Sequence, residues 1–436
     1  MDGDHLRYNN FDHSVLGTLG NGELVPLMHA DRRQHVYLIG KTGTGKSTLL
    51  FNLMLSDLHQ GRGFALLDPH GDLAHAVADA VPAERTNEVL YFDPADLSHP
   101  IAFNPLERVH PDRRPLVAAH IGAAFKHLWG ESWGPRLEYI LDNSLRLLLD
   151  APGSTLLGLP RLLADEKYRA RLLATCSDPV IRAFWQREFA EYHDRFLIEA
   201  IAPVQNKIGA LLSPPAIRNI VGQQRSTLNI PHLMNTNRVL IANLSKGRLG
   251  EAPAHLLGAF LATAFAQSAE SRADIPEHER QDFTLYADEF QSFATDSFAA
   301  ILSEMRKWRL SLALSHQFLG QLPPLLRQGV IGNAGTVVAF RLGAEDAALI
   351  ADELGHANPE ALTDTPNFAA WIKLMYGSSP RGPHYINTLP GTASVSSRLP
   401  AIQARTRARH ARPRKQVEQQ IARFVSQGHG IRKPQS

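Results

Sequence analysis

Val36-Tyr37-Leu38-Ile39-Gly40-Lys41-Thr42-Gly43-Thr44-Gly45-Lys46-Ser47-Thr48 decides the fold of this chain. Its centre, Gly40 to Ser47, fits the phosphate-binding pattern G-x-x-x-x-G-K-[ST] at every fixed position. The four apolar residues before it read as a buried parallel strand, and Ser47 to Leu55 reads as the helix that follows. Strand, loop and helix in that order are what a phosphate loop requires. Three glycines let the backbone wrap closely, so that its N–H groups and the positive helix end face a phosphate. Lys46 is then expected to reach the β- and γ-phosphates of a nucleotide, and the Ser47 hydroxyl to sit on Mg2+. The expected ligands are ATP and Mg2+, held by Gly40, Lys41, Thr42, Gly43, Thr44, Gly45, Lys46, Ser47 and Thr48.

A second carrier of chemistry lies far along the chain. Phe283-Thr284-Leu285-Tyr286-Ala287 reads as an apolar strand ending in Asp288-Glu289. Paired with a phosphate loop, this is the other half of a hydrolase: Asp288 to hold the metal, Glu289 to orient or deprotonate the attacking water. Leu310-Ser311-Leu312-Ala313-Leu314 reads as a further strand ending in Ser315-His316-Gln317, and Gln317 either senses the γ-phosphate or caps the next turn. Gly63-Phe64-Ala65-Leu66-Leu67 ends in Asp68-Pro69-His70-Gly71-Asp72, which lies near the nucleotide or caps the helix that follows.

The remaining elements give the organisation. Residues 12 to 34 read as a small β-hairpin with Asn21-Gly22 as a type I′ turn. Further strands are expected at Val89–Phe92, Arg238–Leu244 and Thr336–Phe340, with an edge hairpin from Ala370–Met375 and His384–Ile386 and a helix over 292 to 308. Between 108 and 230 the strand signals stop. Leu137, Ile140, Leu141, Leu145 and Leu148 recur at helical spacing, as do Ile181, Phe184, Trp185 and Phe189. The fold class is therefore α/β: a RecA-like P-loop core with a mostly parallel sheet, an all-helical insertion and a small N-terminal hairpin. The expected boundaries are 1–107 for the hairpin and first half of the core, 108–230 for the insertion, 231–400 for the second half and 401–436 for a basic tail.

The chain has 436 residues, 44% hydrophobic and 20% charged, which is ordinary for a globular protein. The single cysteine, Cys176, excludes an internal disulfide and suits a reducing cytoplasm. No signal peptide or membrane insertion is expected, because the first residues are acidic and the most apolar run, Leu256 to Ala266, is too short to span a bilayer. Net charge is only +2, yet the end from Arg398 onward is strongly basic. Arg405, Arg407, Arg409, Arg412, Arg414 and Lys415 either contact DNA phosphates, or ride on a helix whose stripe of Val417, Ile421 and Phe424-Val425 docks on the core or on the next subunit. Within the insertion, Asn206-Lys207 and Arg218 to Arg225 are either polyanion contacts or solvated surface.

Together these motifs resemble the FtsK/HerA superfamily of ring ATPases, and within it the soluble part of type IV secretion coupling proteins. The resemblance rests on His35, the Gly40 to Ser47 loop, Asp68 to Asp72, Asn104-Pro105-Leu106, Trp133-Gly134-Pro135-Arg136, Asp288-Glu289, Arg306-Lys307 and His316-Gln317. It implies that the Gln317 strand lies between the phosphate-loop strand and the Asp288 strand. It also implies a homo-oligomer, a hexamer moving DNA, with catalytic residues Glu289, Lys46 and Gln317 and an arginine from a neighbouring subunit. Arg306 is the first choice for that arginine and Arg341 and Arg309 are reserves; the bland reading of Arg306 is a surface side chain. The leading expectation is a DNA-translocating ATPase. The alternative is an ATP-gated adaptor recruiting a nucleoprotein or effector to a secretion or defence complex, and a membrane-associated or nuclease partner protein fits either.

Overall fold

The computed structural model describes residues 12–426 except 108, 131–132, 193, 296–301, 356–357, 378 and 393–396. Among the described residues eleven strands make one sheet: β1 (His13–Thr18), β2 (Leu24–Met28), β3 (Val36–Ile39), β4 (Gly63–Asp68), β5 (Val89–Phe92), β6 (Val239–Asn243), β7 (Phe283–Ala287), β8 (Leu310–His316), β9 (Thr336–Ala339), β10 (Ala369–Tyr376) and β11 (Ser379–Thr388). Their order is β2-β1-β11-β10-β9-β3-β8-β7-β4-β6-β5. From β9 to β5 every pairing is parallel. Strands in such a run are covered on both faces, so their sequences are continuously apolar rather than alternating. All positions of β3, β4, β5, β6 and β8 are accordingly buried. The helix Lys46–His59 covers β3 and its neighbours with Leu49, Leu50, Leu53 and Met54, all fully buried.

The N-terminal hairpin is present, but its turn differs from the expected type I′. Leu19 N–H donates to Glu23 O at 2.9 Å and Gly22 N–H to Leu19 O at 2.9 Å, which closes a three-residue loop over Gly20 to Gly22. Only Gly22 takes a positive φ, of 83°. Asn21 instead uses its side-chain oxygen to accept from Glu23 N–H at 3.0 Å, which holds the loop without a left-handed asparagine. The pair β10–β11 is also not an edge hairpin. β11 is bonded to β1, so the β1–β2 hairpin forms the edge and β10–β11 lies inside the sheet. Of the helix expected over 292–308, residues 296–301 lie outside the described residues. Phe290–Ser292 and Met305–Trp308 are short 3-10 turns.

The chain divides into two compact units. The first, with the sheet, comprises residues 1–93, 230–246 and 264–406. It holds a buried ion pair bridged by a tyrosine. Arg32 meets Asp57 at 2.7 and 2.9 Å, and the Tyr286 hydroxyl donates to Asp57 at 2.6 Å while accepting from Arg32. The second unit comprises 94–229, 247–263 and the chain from Arg407 onward, so it starts earlier than the 108–230 boundary read from sequence and takes in two distant segments. It is built of helices, among them Arg114–Trp129, Pro135–Asp150, Asp194–Leu212, Pro215–Val221 and Arg414–Ser426. Leu137, Ile140, Leu141, Leu145 and Leu148 form part of its core, together with Trp185 packed against Phe184 and Phe189. The Asn104 side chain ties this unit's loops by donating to Ser154 O at 2.9 Å and Gln224 O at 3.1 Å.

The apolar stripe of the basic tail packs within the helical unit, while Ile402, earlier in the tail, joins the sheet's core. Val417 and Ile421 are buried in the helical unit, where Arg414–Ser426 packs against Pro215–Val221. Phe424 meets Tyr168 edge-on, and the Arg161 guanidinium lies 4.4 Å over Tyr168 and 5.1 Å over Phe424. Among the described residues no helix is long and apolar enough to cross a membrane. The apolar run at 256–266 lies within the helix Glu251–Glu270, with Leu256, Leu257, Phe260, Leu261 and Phe265 buried.

Candidate active site

The carboxyl ends of β3, β8 and β7 are neighbours, and each delivers one part of the site. β8 lies between the other two, as the resemblance implied. After β3 the chain turns through the phosphate loop, whose tip at Lys41 to Gly43 is exposed. Two glycines are required here for definite reasons. A Cβ on Gly40 would lie 2.6 Å from Phe340 Cβ, so only a bare backbone fits against the end of β9. Gly45, which starts the helix, has φ 118°, a conformation strained for any side chain. The loop is also pinned from outside, by Phe368 N–H donating to Thr44 O at 2.8 Å. Phe368 itself has φ 64° and a half-exposed ring against Gly45, a contact that no local pattern in its own segment announces.

Lys46 lies folded back onto the loop, its Nζ donating to Gly40 O at 2.6 Å and Lys41 O at 3.0 Å. Burial lowers its pKa, and the carboxylates of Glu289 and Asp288 work the other way. Ser47, one residue on, donates its hydroxyl to Asp288 Oδ2 at 2.8 Å. The other oxygen, Oδ1, accepts from the Ser315 hydroxyl and from the Glu289 N–H at 3.1 Å. Burial raises the Asp288 pKa. The Ser315 and Ser47 hydrogen bonds lower it, while the charges of Asp68 and Glu289 add to the rise.

Glu289 is one of few non-glycine residues with a left-handed backbone, φ 47° and ψ 52°, an arrangement that costs energy and concentrates at functional sites. Its carboxylate is held from two sides: Gln317 Nε2 donates to Oε1 at 3.0 Å and Gln291 Nε2 to Oε2 at 2.5 Å. Gln317 is in turn oriented by Gln321, whose side-chain oxygen accepts from the Gln317 N–H at 3.2 Å. His316 is fully buried between Tyr37 and Phe290, and burial with the nearby Lys46 charge lowers its pKa to about 3. It is therefore a neutral packing residue. Ser315, Gln291 and Phe368 are the contacts that sequence reasoning missed. Ser315 had a usable signal, since side chains alternate along a strand and Ser315 adjoins the His316-Gln317 pair.

The structure does not bring every sequence candidate to this cluster. Asp68, fully buried, caps the turn into Asp72–Asp79 by accepting from the N–H groups of His70 at 2.9 Å and Ala74 at 2.8 Å, and reaches the cluster only through its charge on Asp288. Arg306 precedes β8 whereas Gln317 follows it, so the strand's length, about 20 Å, separates them. Its side chain is exposed. Arg309 is engaged with Glu277 at 3.4 Å and Asp282 at 3.6 Å. Arg341 follows β9 beside the phosphate loop, its carbonyl accepting from Lys41 N–H at 2.9 Å.

The donor set fits a hydrated divalent cation: a hydroxyl and a carboxylate oxygen, hard ligands, 2.8 Å apart beside a phosphate loop. No described cluster of histidine, cysteine or carboxylate residues offers a second metal centre.

By sequence, no protein family and no curated protein matches this chain. Solved structures do. The plasmid coupling protein TrwB in complex with a non-hydrolysable GTP analogue matches at TM-score 0.65 and 15% identity, over 90% of this chain and 93% of that one. TrwB in complex with ADP and Mg2+ gives 0.63 and 15%, over 89% and 92%. VirB4 of Thermoanaerobacter pseudethanolicus gives 0.59 and 15%, over 87% and 97%. At such identities the likeness is one of fold, and it extends through the helical unit as well as the sheet. In fold, this chain is similar to the plasmid coupling protein TrwB and to VirB4.

Proposed function

We propose that this chain hydrolyses ATP with Mg2+ and acts as a motor of the coupling-protein kind, a homo-hexameric ring that moves DNA. The observation that carries the reading is the convergence of Lys46, Ser47, Asp288, Glu289 and Gln317, from three adjacent strands, on one sheet edge. The likeness to TrwB, solved with ADP and Mg2+ and with nucleotide analogues, supports it.

Loop N–H groups and Lys46 bind the phosphates of ATP. Lys46 exchanges its two carbonyl partners for phosphate oxygens, a gain because a buried ammonium is better matched by an anion than by dipoles. Ser47 and Asp288 would hold Mg2+, which would supply charge neutralisation for the phosphate chain. Glu289 accepts a proton from, or orients, the attacking water, and Gln317 and Gln291 fix its carboxylate so that no reorientation is needed at the moment of reaction. Gln317, bonded to Glu289, lies where it can report the γ-phosphate to the rest of β8. Arg306 lies at the wrong end of β8 to serve its own phosphate loop, and its exposure suits donation to a neighbouring subunit's site, with Arg341 as the reserve. The setting is cytoplasmic.

The test is ATP turnover of the purified protein with and without single- and double-stranded DNA across a salt series. Stimulation that fades with salt, and is lost in Glu289→Gln and Lys46→Ala, is the expected result. Turnover indifferent to DNA would refute the motor.

A further inference from the structure

In the helical unit, a cavity of about 380 Å3 opens between the turn at 222–225 and the helix Arg414–Ser426. Its volume is that of a small-ligand site, about 300–1,000 Å3. Arg225, Arg412 and Arg423 line it, and no carboxylate does. Arg225 is nearly two hundred residues from the other two in sequence, so the docking of the tail helix is what assembles the group.

These three arginines differ from their neighbours. Arg407 is paired with Asp96 at 2.7 Å and Arg414 with Glu418 at 2.8 Å. Glu418, the only acid of the tail helix, is further occupied by Asn219 at 3.4 Å and lies 3.9 Å from Arg218. Among the described residues the guanidiniums of Arg225, Arg412 and Arg423 have neither ion pair nor hydrogen bond. Three like charges around one concavity repel, and no carboxylate among the residues that line it relieves them. Beneath them Thr155, 2% exposed, has a hydroxyl without a hydrogen-bond partner, and Gln223, 3% exposed, has an unpartnered side-chain oxygen. Guanidiniums present forked donors that match the oxygens of phosphate, and a threonine hydroxyl adds one more donor.

We propose that this cavity is a phosphate-binding site, taking either a phosphodiester of a nucleic-acid strand or a free phosphate group. The site belongs to the helical unit alone and does not depend on hydrolysis at the phosphate loop.

The test uses the full chain with two probes: a fluorescent single-stranded oligonucleotide followed by anisotropy, and inorganic pyrophosphate followed by calorimetry. Each arginine would supply one charge-assisted contact, so Arg225→Ala, Arg412→Ala and Arg423→Ala should each weaken binding about tenfold. Lys415→Ala, an exposed cation on the same helix outside the cavity, should not. Weakening of the oligonucleotide assigns a strand, and weakening of pyrophosphate alone assigns a free phosphate. No weakening of either probe in variants that melt like the parent overturns the site. A second measurement needs no variant: phenylglyoxal modification of the three arginines in the parent protein, mapped by mass spectrometry, should slow with pyrophosphate or oligonucleotide. Equal modification with and without both probes also overturns it.

Discussion

Ser315→Ala probes how the site holds Asp288, the carboxylate proposed to hold the metal. In the parent structure Asp288 Oδ2 accepts from Ser47, and Oδ1 accepts from Ser315 and the Glu289 N–H. Ser47 must release Asp288 to act on Mg2+, so Ser315 is the side-chain contact that remains to aim the carboxylate. A hydrogen bond to a charged group contributes about 1.5–3 kcal/mol. If that energy positions Asp288 in the transition state, turnover falls by about ten- to hundredfold at neutral pH. The pH dependence carries a second signature. Burial already raises the Asp288 pKa, and Ser315 is the leading influence that lowers it. Without the hydroxyl the pKa rises further, so the carboxylate protonates at higher pH and the acid limb of turnover moves upward. The assay is steady-state ATP turnover from pH 5 to 9 with saturating Mg2+. Ser311→Ala is the control on the same strand: Ser311 bonds Thr284 at 3.0 Å, away from the site, and its loss should cost about 1 kcal/mol of stability with no change in the acid limb. A Ser315→Ala enzyme with parental turnover and an unmoved acid limb would refute the reasoning.

Three further outcomes are expected. Gly40→Ala forces a methyl into Phe340, so it should cost roughly 1–3 kcal/mol and weaken ATP binding, measured by melting and by a fluorescent nucleotide. Arg32→Met leaves Asp57 buried and unpaired and should cost about 3–5 kcal/mol, with the double variant Arg32→Met/Asp57→Leu recovering part of the loss in denaturant titration. Burial also holds the pKa of His29 and His35 at about 4 and of His316 at about 3, all below the ordinary 6.5. The unfolded chain therefore takes up protons first as pH falls. Stability should be full above about pH 6.5 and fall toward pH 4, with a slope approaching about 4 kcal/mol per pH unit, because three groups bind protons only when unfolded. A slope below that of a single proton would refute the assignment.

The sequence by itself determined the strands of the sheet's centre and singled out Lys46, Ser47, Asp288, Glu289 and Gln317, which the fold brings to one edge. The phosphate loop is a local device: its glycines, lysine and serine must be contiguous, so it is written in one stretch. Asp288-Glu289 and Gln317 were legible because parallel strands buried on both faces are uniformly apolar, and the polar residues that end them stand out. The strand order was implied only by resemblance, since periodicity says nothing of which strand pairs with which.

Tertiary structure decided whatever depends on meeting across distance. Ser315 and Gln291 look like ordinary polar residues until β7 and β8 place them against Asp288 and Glu289. Asp68 ended its strand as promisingly as Asp288, but its two oxygens each accept from an N–H group of the following turn rather than from a phosphate-loop residue. The basic tail was ambiguous because a stripe of Val417 and Ile421 fits any apolar partner. The fold supplied Pro215–Val221, and with it a cavity joining Arg225 to Arg412 and Arg423. Local sequence fixes what a residue can do; the cost of leaving a buried polar group or an apolar stripe unmatched, settled only on packing, fixes what it does.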